Sequence, residues 1–343
     1  MPGRRAGGET PAGRDARSPA RERRSASIAL PTIRKGVLVY NPTAGQTDRR
    51  PAMDDLIERM RTRGITLVNA PTIGPGHATE IVRAFLPLKP DVVAACGGDG
   101  TIAEVARGLS GSGIPLAVLP GGTSNVLARE LGIPLDPDRA AELLWNGEVR
   151  SLRVLTANDR AFLLWAGTGI DARVMLNMSL SLKRRLGRSG IAVTALSEFL
   201  RYEFPRLQAT IDGVVYDATF AVVCHARHYA GNWVIAPEAS PESEDVDVLL
   251  FSGRNRFDLF RLFYALKQGR SAHLSSGLAR VVRGSEVTIR SREPYSVEVQ
   301  LDGDCILETP ITCRSTRDTV EILVPRESEN ASRAAEPRLA PAP

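Results

Sequence analysis

Apolar and amphipathic stretches alternate through the first half of the chain. Four apolar runs have the length of β-strands, and each is followed by a stretch in which apolar residues recur with helical spacing. The strand-like runs are 36–42, 64–70, 91–96 and 114–120, and the helical stretches are 48–62, 77–86, 101–109 and 124–131. Strands that alternate with helices predict a parallel sheet covered on both faces. We therefore expect an α/β domain over 36–150.

The pattern changes after about residue 150. Short runs with alternating apolar and polar positions dominate, such as "ATFAVVCHA" and "YSVEVQLDGD", and these are typical of antiparallel strands. Two helical stretches interrupt them, at about 180–203 and 255–268. The predicted fold class is thus α/β followed by β, with a β-rich, antiparallel, sandwich-like domain over 151–326. Its last segment can return to the first domain.

Positive charge is concentrated at the N-terminus. Residues 1–35 carry nine basic and three acidic residues, and the whole chain has a net charge of +5, so the other 308 residues sum to −1. A segment so rich in Arg, Ser, Pro and Gly cannot bury enough apolar surface to fold, and 327–343 is similar. We expect two disordered tails, the first being either a solvated arm or a segment attracted to anionic lipid. A body without net positive charge argues against a nucleic-acid partner.

The composition favours a cytoplasmic protein. No apolar run reaches the ~18 residues of a membrane-spanning helix. The N-terminus has no apolar segment behind its arginines, as a secretory signal would. The four cysteines show neither metal-site nor C-x-x-C spacing, which fits a reducing compartment.

A glycine-rich turn, Gly-Gly-Asp-Gly-Thr at 97–101, follows the third predicted strand. Ligands of open parallel sheets bind beyond the carboxyl ends of the strands. Gly97 and Gly98 allow a sharp turn, and their amides with the helix start can face a phosphate. A carboxylate there repels phosphate unless a metal ion or a proton lies between them, so Asp99 indicates phosphoryl transfer, on Mg²⁺ or on the attacking hydroxyl. The alternative is a tight turn in which Thr101 only caps the helix.

Small polar loops follow the other three strands as well. "PGGTSN" follows the fourth strand and offers polar groups at a helix start, "NPTAGQT" follows the first and "APTIGPGHA" the second. Four such loops at one edge of a sheet are expected of one nucleotide crevice. The P-loop pattern and the Rossmann fingerprint are both absent. For "PGGTSN" alone, simple helix capping is the alternative.

The motifs "NPTAG", "GGDGT" and "PGGTSNVLARELGIP", in this order, resemble the soluble diacylglycerol kinase catalytic-domain family. That family includes the YegS-type bacterial lipid kinases, with sphingosine and ceramide kinases as relatives. The resemblance spans roughly 36–326. It implies ATP-dependent phosphorylation of a lipid hydroxyl, Mg²⁺ that travels with ATP, and an active site between a nucleotide-binding α/β domain and a β-rich lipid-binding domain.

The resemblance also assigns site residues. Those expected to contact the nucleotide are Asn41, Thr72, Gly97, Gly98, Asp99, Gly100, Thr101, Glu104, Gly122, Thr123 and Asn125. Glu104 is either part of the crevice or a solvated helix residue. "GTGIDARV" (167–174) matches a substrate-cleft segment with Gly169 and Asp171.

"VQLDGD" (299–304) matches the Asp-Gly-Glu segment of the family, with Asp304 in place of the Glu. Asp304 and Asp99 are competing candidates for the general base. Without the resemblance, Asp-Gly between alternating runs predicts a hairpin turn. Ser243 and Glu244 stand where the family often has an Asp-Gly that helps to hold a structural Mg²⁺. A hydroxyl is a poorer ligand for a hard cation, so no protein metal ligand is assigned there.

The sequence leaves open which partners the chain binds and which of several functions it has. We expect a lipid substrate at a membrane surface, with peripheral membrane association. "LSLKRRLGRSG" and "RFDLFRLFYALK" are either a basic loop and a core helix or a membrane-facing surface. Exposed sheet edges allow a homodimer. The alternative functions are a NAD kinase-like phosphotransferase, against which the "PGGTSN" form of the loop argues, and a non-catalytic nucleotide- or lipid-binding module.

Overall fold

A parallel four-stranded layer forms the first half of the chain. The computed structural model describes residues 30–43, 48–177, 188–229, 233–269 and 274–326, so most of both predicted tails lies outside the described residues. The strands are β1 (Lys35–Tyr40), β2 (Thr66–Pro71), β3 (Val92–Gly97) and β4 (Leu116–Pro120). They lie parallel in the order β2-β1-β3-β4. Every residue of β3 and β4 is buried, which explains why both strands are continuous apolar runs.

Six helices belong to this half, together with a 3-10 helix at Leu86–Leu88. They are α1 (Arg50–Thr62), α2 (His77–Phe85), α3 (Asp99–Leu109), α4 (Val126–Glu130), α5 (Pro137–Ala141) and α6 (Leu143–Asn146). Helix α1 buries Met53, Leu56 and Met60, one side of the helix, as the helical spacing predicts. Helix α3 begins at Asp99, two residues before the predicted start, because the backbone is already helical after Gly98.

The second half of the chain consists mainly of antiparallel strands. They are β5 (Glu148–Ala157), β6 (Arg160–Phe162), β7 (Trp165–Thr168), β8 (Leu207–Ile211), β9 (Val214–Ala218), β10 (Phe220–Cys224), β11 (His228–Tyr229), β12 (Trp233–Val234), β13 (Val246–Phe251), β14 (Ala279–Gly284), β15 (Glu286–Ser291), β16 (Glu298–Leu301), β17 (Asp304–Glu308) and β18 (Ile311–Val324). A six-stranded sheet has the order β14-β13-β10-β7-β16-β17. Its inner face packs on β5, β8, β15 and β18 around a shared apolar core. This sandwich completes the predicted α/β plus β fold, which the structure confirms.

The last strand joins the two halves. Strand β18 pairs antiparallel with β15 near its start and with β5 along most of its length, and parallel with β4 through Ile322 and Leu116. One ten-stranded sheet therefore runs from β2 to β9. The chain end thus returns to the first sheet, the option left open by the sequence.

Among the described residues of the second half, three helices flank the strands. They are α7 (Ile170–Leu176), α8 (Arg188–Arg201) and α9 (Arg256–Gln268), with a 3-10 helix at Leu274–Ser276. Within the described ranges, no helix is both long enough and apolar enough to cross a membrane. Most of the basic segment "LSLKRRLGRSG" lies outside the described residues.

Candidate active site

The described parts of the loops after the four parallel strands meet at one edge of the sheet, and residues 44–47 of "NPTAGQT" lie outside the described residues. Three backbone hydrogen bonds carry the strand ladder into these loops: Asn41 N–H to Cys96 O (3.2 Å), Thr72 N–H to Tyr40 O (2.8 Å), and Gly121 N–H to Gly97 O (2.8 Å). The structure therefore brings together the polar loops that the sequence placed at strand ends.

The glycines allow the third and fourth loops to touch backbone to backbone. A Cβ atom added at Gly122 would lie 2.4 Å from the Cα atom of Gly98. One added at Gly97 would lie 2.8 Å from the Thr101 hydroxyl oxygen. A Cβ atom at Gly100, in contrast, would meet nothing within 4 Å. Close packing therefore explains Gly122 between the loops and Gly97 within its own turn, while the turn is open at Gly100.

Asp99 joins the same two loops. Its Oδ1 atom accepts the backbone N–H of Val126, the first residue of α4, at 2.7 Å. The residue before Val126, Asn125, has a left-handed backbone (φ 48°), and its side chain bonds both the N–H and the carbonyl of Gly122. Asp99 thus caps α4 from the neighbouring loop, in addition to any role toward a ligand.

Arg49 brings a positive charge to this edge and was missed by sequence reasoning. Its Nη2 atom donates to the Gly121 carbonyl at 2.8 Å. It also contacts Cys96, where burial raises the pKa of the thiol although Arg49 acts to lower it. The only signal in the sequence was a basic residue shortly after "NPTAGQT", before α1.

Glu104 has a different role from the one predicted. Its carboxylate accepts the N–H groups of Gly76 (2.8 Å) and Ala78 (3.1 Å) at the start of α2. It is neither a solvated residue nor directed into the crevice, because it caps a neighbouring helix. The Asn41 side chain also turns inward and accepts both the N–H and the hydroxyl of Thr43. Thr101 and Thr123 are half-buried at the two turns.

A buried carboxylate of the second half, Asp302, faces the first. Asp302 lies in the turn between β16 and β17, with φ 50°. Its carboxylate accepts the N–H groups of Leu163 and Leu164, both at 2.8 Å, and of Trp165 at 3.1 Å. Burial raises the pKa of Asp302, although these three bonds act to lower it. Sequence reasoning treated this residue only as part of a hairpin turn.

Asp304 lies outside this arrangement. It starts β17, its side chain is half-exposed, and its Oδ2 atom is 4.0 Å from Arg107 Nη2 of α3. A narrow cleft between the two halves has a volume of about 10 Å³, room for about one water molecule. It is lined by Asp99, Ile102, Ala103, Leu127, Leu163, Leu164, Trp165 and Asp302. Of the two neighbouring acids, Asp302 lines a cleft together with Asp99, and Asp304 does not. The reason is the hairpin turn, which directs residues two apart into different surroundings.

Gly169 and Asp171 support this wall. Gly169 has φ 93°, and a Cβ atom there would lie 2.4 Å from the Tyr202 hydroxyl oxygen. Asp171 is buried and accepts from Gln300 Nε2 at 2.7 Å. Burial raises the pKa of Asp171 to about 7, although the Gln300 bond acts to lower it. Gln300 Oε1 in turn accepts the N–H of Gly303, which links α7 to the Asp302 turn.

A buried ion pair also connects the halves. Glu130 of α4 accepts from Arg227 Nε at 2.8 Å, and from His228 through Nδ1 at 2.6 Å and the backbone N–H at 3.1 Å. Burial alone would raise the pKa of Glu130, but the bonds from His228 and Arg227 outweigh it and lower the pKa. This contact fixes α4, and with it the glycine loop, against the second half.

His225 lies behind the Asp302 wall. Its two ring nitrogens are each 2.9 Å from a carbonyl oxygen, that of Leu163 and that of Ser243. Burial lowers the pKa of His225, while the two carbonyls favour its protonated form. Glu244, the residue after Ser243, forms an ion pair with Arg153 at the surface. Among the described residues, no group of three or more His, Cys, Asp or Glu side chains is placed to hold a metal ion.

Comparisons with known proteins agree with the two-part fold. Residues 35–157 match the family model of the diacylglycerol kinase catalytic domain, and residues 165–324 match the YegS C-terminal NAD kinase beta sandwich-like domain. Two crystal structures from Bacillus anthracis superpose on the chain. The superposition includes 99% of each of those chains and 87% of this one. Their TM-scores are 0.72 at 24% identity and 0.66 at 22% identity, and the second is described as a diacylglycerol kinase. These structures establish the fold.

Sequence relatives carry the family assignment. A diacylglycerol kinase of Mycobacterium tuberculosis is 27% identical over 86% of this chain and 96% of its own length. A protein of Pseudomonas aeruginosa described as a YegS-like lipid kinase is 31% identical over 62% of this chain and 70% of its own length. Kinases of this family transfer phosphate to a lipid, and kinase chemistry implies ATP as the donor. With both domain models matched in chain order, the chain belongs to the diacylglycerol kinase catalytic-domain family, among the YegS-like lipid kinases.

Proposed function

We propose that the chain transfers the γ-phosphoryl group of ATP to a hydroxyl of a lipid such as diacylglycerol or a sphingoid base. One observation carries the proposal: Asp99 from the glycine turn and Asp302 from the β-rich half line the same cleft. A phosphoryl transfer needs one group that manages the phosphate charge and one that accepts the hydroxyl proton, and acids from opposite walls supply both.

The nucleotide side rests on the turn at 97–101. The open backbone at Gly100 and the N-terminus of α3 form an environment that favours a phosphate group. Arg49 adds a full positive charge beside the fourth loop. Thr72, which is buried, and Thr123, which is half-buried, lie on loops at the same edge, and we expect them on the nucleotide side of the site.

The residues at the glycine turn fit a Mg²⁺ ion that arrives with the nucleotide. Mg²⁺ is usually bound through one or two carboxylates together with substrate phosphates. Asp99 is a carboxylate at the glycine turn, and its Oδ1 atom accepts the Val126 N–H. When bound, the ion supplies neutralisation of the phosphate charge. Asp99 is the residue that would hold it.

The acceptor side rests on Asp302. Three backbone N–H groups fix its carboxylate, and burial raises its pKa, which makes it a better proton acceptor than an exposed Asp. The hydroxyl oxygen forms a bond to the γ-phosphorus, the bond from that phosphorus to the bridging oxygen breaks, and ADP leaves. The hydroxyl proton passes to Asp302. Apolar walls formed by Ile102, Leu127 and Leu163 keep this step away from bulk water.

The test is transfer of label from γ-labelled ATP to detergent micelles that contain diacylglycerol, sphingosine, ceramide or phosphatidylglycerol. Labelled product should appear in the organic phase, and its mobility names the lipid. Asp302→Asn should reduce the rate by a factor of ~10²–10⁴, the usual worth of a general base. Asp304→Asn is the matched control and should stay close to wild type, while Asp99→Asn should also lose activity.

Three results would contradict the proposal. Label on added NAD and not on lipid would indicate a NAD kinase-like enzyme. Bound ATP with no transfer to any acceptor, in protein shown to be folded, would indicate a non-catalytic module. A severe loss in Asp304→Asn with an active Asp302→Asn would return the role of general base to Asp304.

A further inference from the structure

Helix α9 has apolar residues on two opposite faces. Leu259, Leu262 and Leu266 are buried against the protein. Phe257, Phe260 and Tyr264 repeat with the same spacing on the other side, and each is more than half exposed. Residues at positions i, i+3 and i+7 share one helix face, so the three aromatic residues form a solvent-facing stripe. Contacts with the protein core do not account for this stripe.

Helix α8 also has apolar residues on its exposed face. Its buried face carries the polar residues Thr194 and Glu198, and Glu198 pairs with Arg173 of α7 at 3.2 Å. Its exposed face carries Val193, Leu196 and Leu200, each more than half exposed. An amphipathic helix of a globular protein normally has the opposite arrangement.

The C-terminal end of α8 contacts α9. Phe199 of α8 and Phe263 of α9 contact each other with ring centroids 6.5 Å apart, and Arg256 Nε donates to the Leu200 carbonyl at 3.0 Å. The exposed residue Leu200 at the end of α8 therefore lies beside the start of the aromatic stripe of α9, and Leu196 and Val193 continue the exposed side of α8 from there. We call this the apolar helix surface, formed by Val193, Leu196, Leu200, Phe257, Phe260 and Tyr264.

The exposed charges around this surface are mostly basic. Those on the two helices and at the start of α9 are Arg201, Arg254, Arg256, Arg261 and Lys267. The acidic residues of the same helices are engaged: Glu198 is buried, and Asp258 accepts from the N–H of Arg254 and from Asn255 Nδ2. Aromatic and aliphatic side chains with a basic rim are the composition of helices that lie in the interface of an anionic membrane.

We propose that the apolar helix surface docks on an anionic lipid bilayer. A second copy of the chain is a poorer partner. In a two-fold symmetric dimer the same patch of both copies meets, so the basic residues around one patch would face the basic residues around the other. Helix α7 connects the surface to the cleft, since Arg173 bonds Glu198 while Asp171 bonds Gln300 beside the Asp302 turn. Docking there would hold the cleft next to the lipid. The benefit of docking for catalysis rests on the proposed function, but binding to the bilayer does not.

The experiment is co-sedimentation of the full chain with vesicles of phosphatidylcholine, with or without phosphatidylglycerol. Wild type should bind the anionic vesicles more tightly, and added salt should weaken that binding. Phe257→Gln/Phe260→Gln should weaken it by about tenfold or more, since two aromatic side chains lose a place in the bilayer. Arg261→Gln/Lys267→Gln should lose about fivefold per residue. Leu88→Gln/Val214→Gln removes equally exposed apolar groups elsewhere and should bind as wild type does.

Several outcomes would overturn the docking surface. Wild type that does not bind anionic vesicles would refute the proposal. A Phe257→Gln/Phe260→Gln variant that binds as tightly as the Leu88→Gln/Val214→Gln control would refute it as well. A dimer by analytical ultracentrifugation that this aromatic variant dissociates would assign the surface to a second copy. Activity on a short-chain, micelle-free acceptor separates the proposals. A chain that binds vesicles but phosphorylates no acceptor would refute the kinase and leave the surface intact.

Discussion

Replacing Glu130 by glutamine tests whether one buried carboxylate holds the two halves of the chain together. The Glu130 side chain is almost completely buried and accepts three hydrogen bonds, one from Arg227 and two from His228. Glutamine has nearly the same shape but no charge, and it has one acceptor oxygen instead of two. At least one donor therefore loses its partner, and the remaining bonds lose the negative charge of their acceptor.

The expected loss of unfolding free energy is about 2–4 kcal/mol. A hydrogen bond to a charged group contributes roughly 1.5–3 kcal/mol. The full sum over three bonds is too large, because the Arg227 side chain is 48% exposed and the His228 side chain is 27% exposed, so both regain water. The loss still exceeds that of a surface pair, since the carboxylate itself is buried.

The sign of the pH dependence follows from the lowered pKa of Glu130. A carboxyl whose pKa is lower in the folded state than its ordinary 4.5 stabilises the fold fully above that value. This stabilisation is lost as the pH falls through the folded-state pKa. Glu130→Gln should therefore differ most from wild type at neutral pH, and the difference should shrink in acid.

Urea denaturation at neutral pH and at a series of acidic pH values measures the effect, with separate fits if two transitions appear. Glu80→Gln on the exposed side of α2 is the matched control and should change stability by no more than about 0.5 kcal/mol. A Glu130→Gln variant as stable as the control at neutral pH would refute the reasoning. A destabilisation that stays constant into strong acid would show that packing, and not charge, carries the effect.

Three further predictions concern the cleft. Gly122→Ala should lower the unfolding free energy in urea by roughly 1–3 kcal/mol, because the added Cβ atom would meet neighbouring backbone. It should also weaken ATP binding measured by calorimetry. Gly100→Ala, whose Cβ atom would meet nothing, should leave the packing unchanged. Asp302→Ala should cost about 3–6 kcal/mol in urea denaturation, since three buried N–H groups lose their acceptor, while Asp304→Ala should cost at most ~0.5 kcal/mol. Asp171 has its pKa raised from 3.8 to about 7, so its contribution to stability should fall as pH rises through that window, and Asp171→Asn should remove this slope from the unfolding free energy.

Two comparisons would contradict these expectations. Equal losses in the two glycine variants would show that close packing of the loops is not the constraint. An unchanged pH slope in Asp171→Asn would show that another group titrates there.

The sequence predicted the elements of the first half well because local spacing reflects burial. The four apolar runs became β1 to β4, and polar residues at their ends met at one edge of the sheet. The start of α3 was predicted two residues late, because glycines were taken as loop although Gly98 is the last non-helical residue. The partners of β18 could not be predicted, since its pairing with β4 joins residues that are about 200 positions apart.

The roles of individual acids depend on geometry that a sequence does not contain. Asp302 and Asp304 are two residues apart, and only the hairpin turn decides which one enters the cleft. Glu104 caps a helix other than its own, so its role follows from the packing of α2 on α3. "RFDLFRLFYALK" was considered either a core helix or a membrane-facing one. The structure shows a buried leucine face and an exposed aromatic face on the same helix.

The site depends on the relative position of two halves of the chain, so its stability and its chemistry are coupled. Asp99 is fixed to α4 through Val126, and α4 is fixed to the second half through Glu130. Asp302 is fixed to the same half through the backbone at Leu163 and Leu164. Any change that loosens Glu130 therefore shifts one acid of the cleft relative to the other. For this reason we expect Glu130→Gln to lower the turnover rate at temperatures where the variant is still fully folded, although Glu130 does not line the cleft.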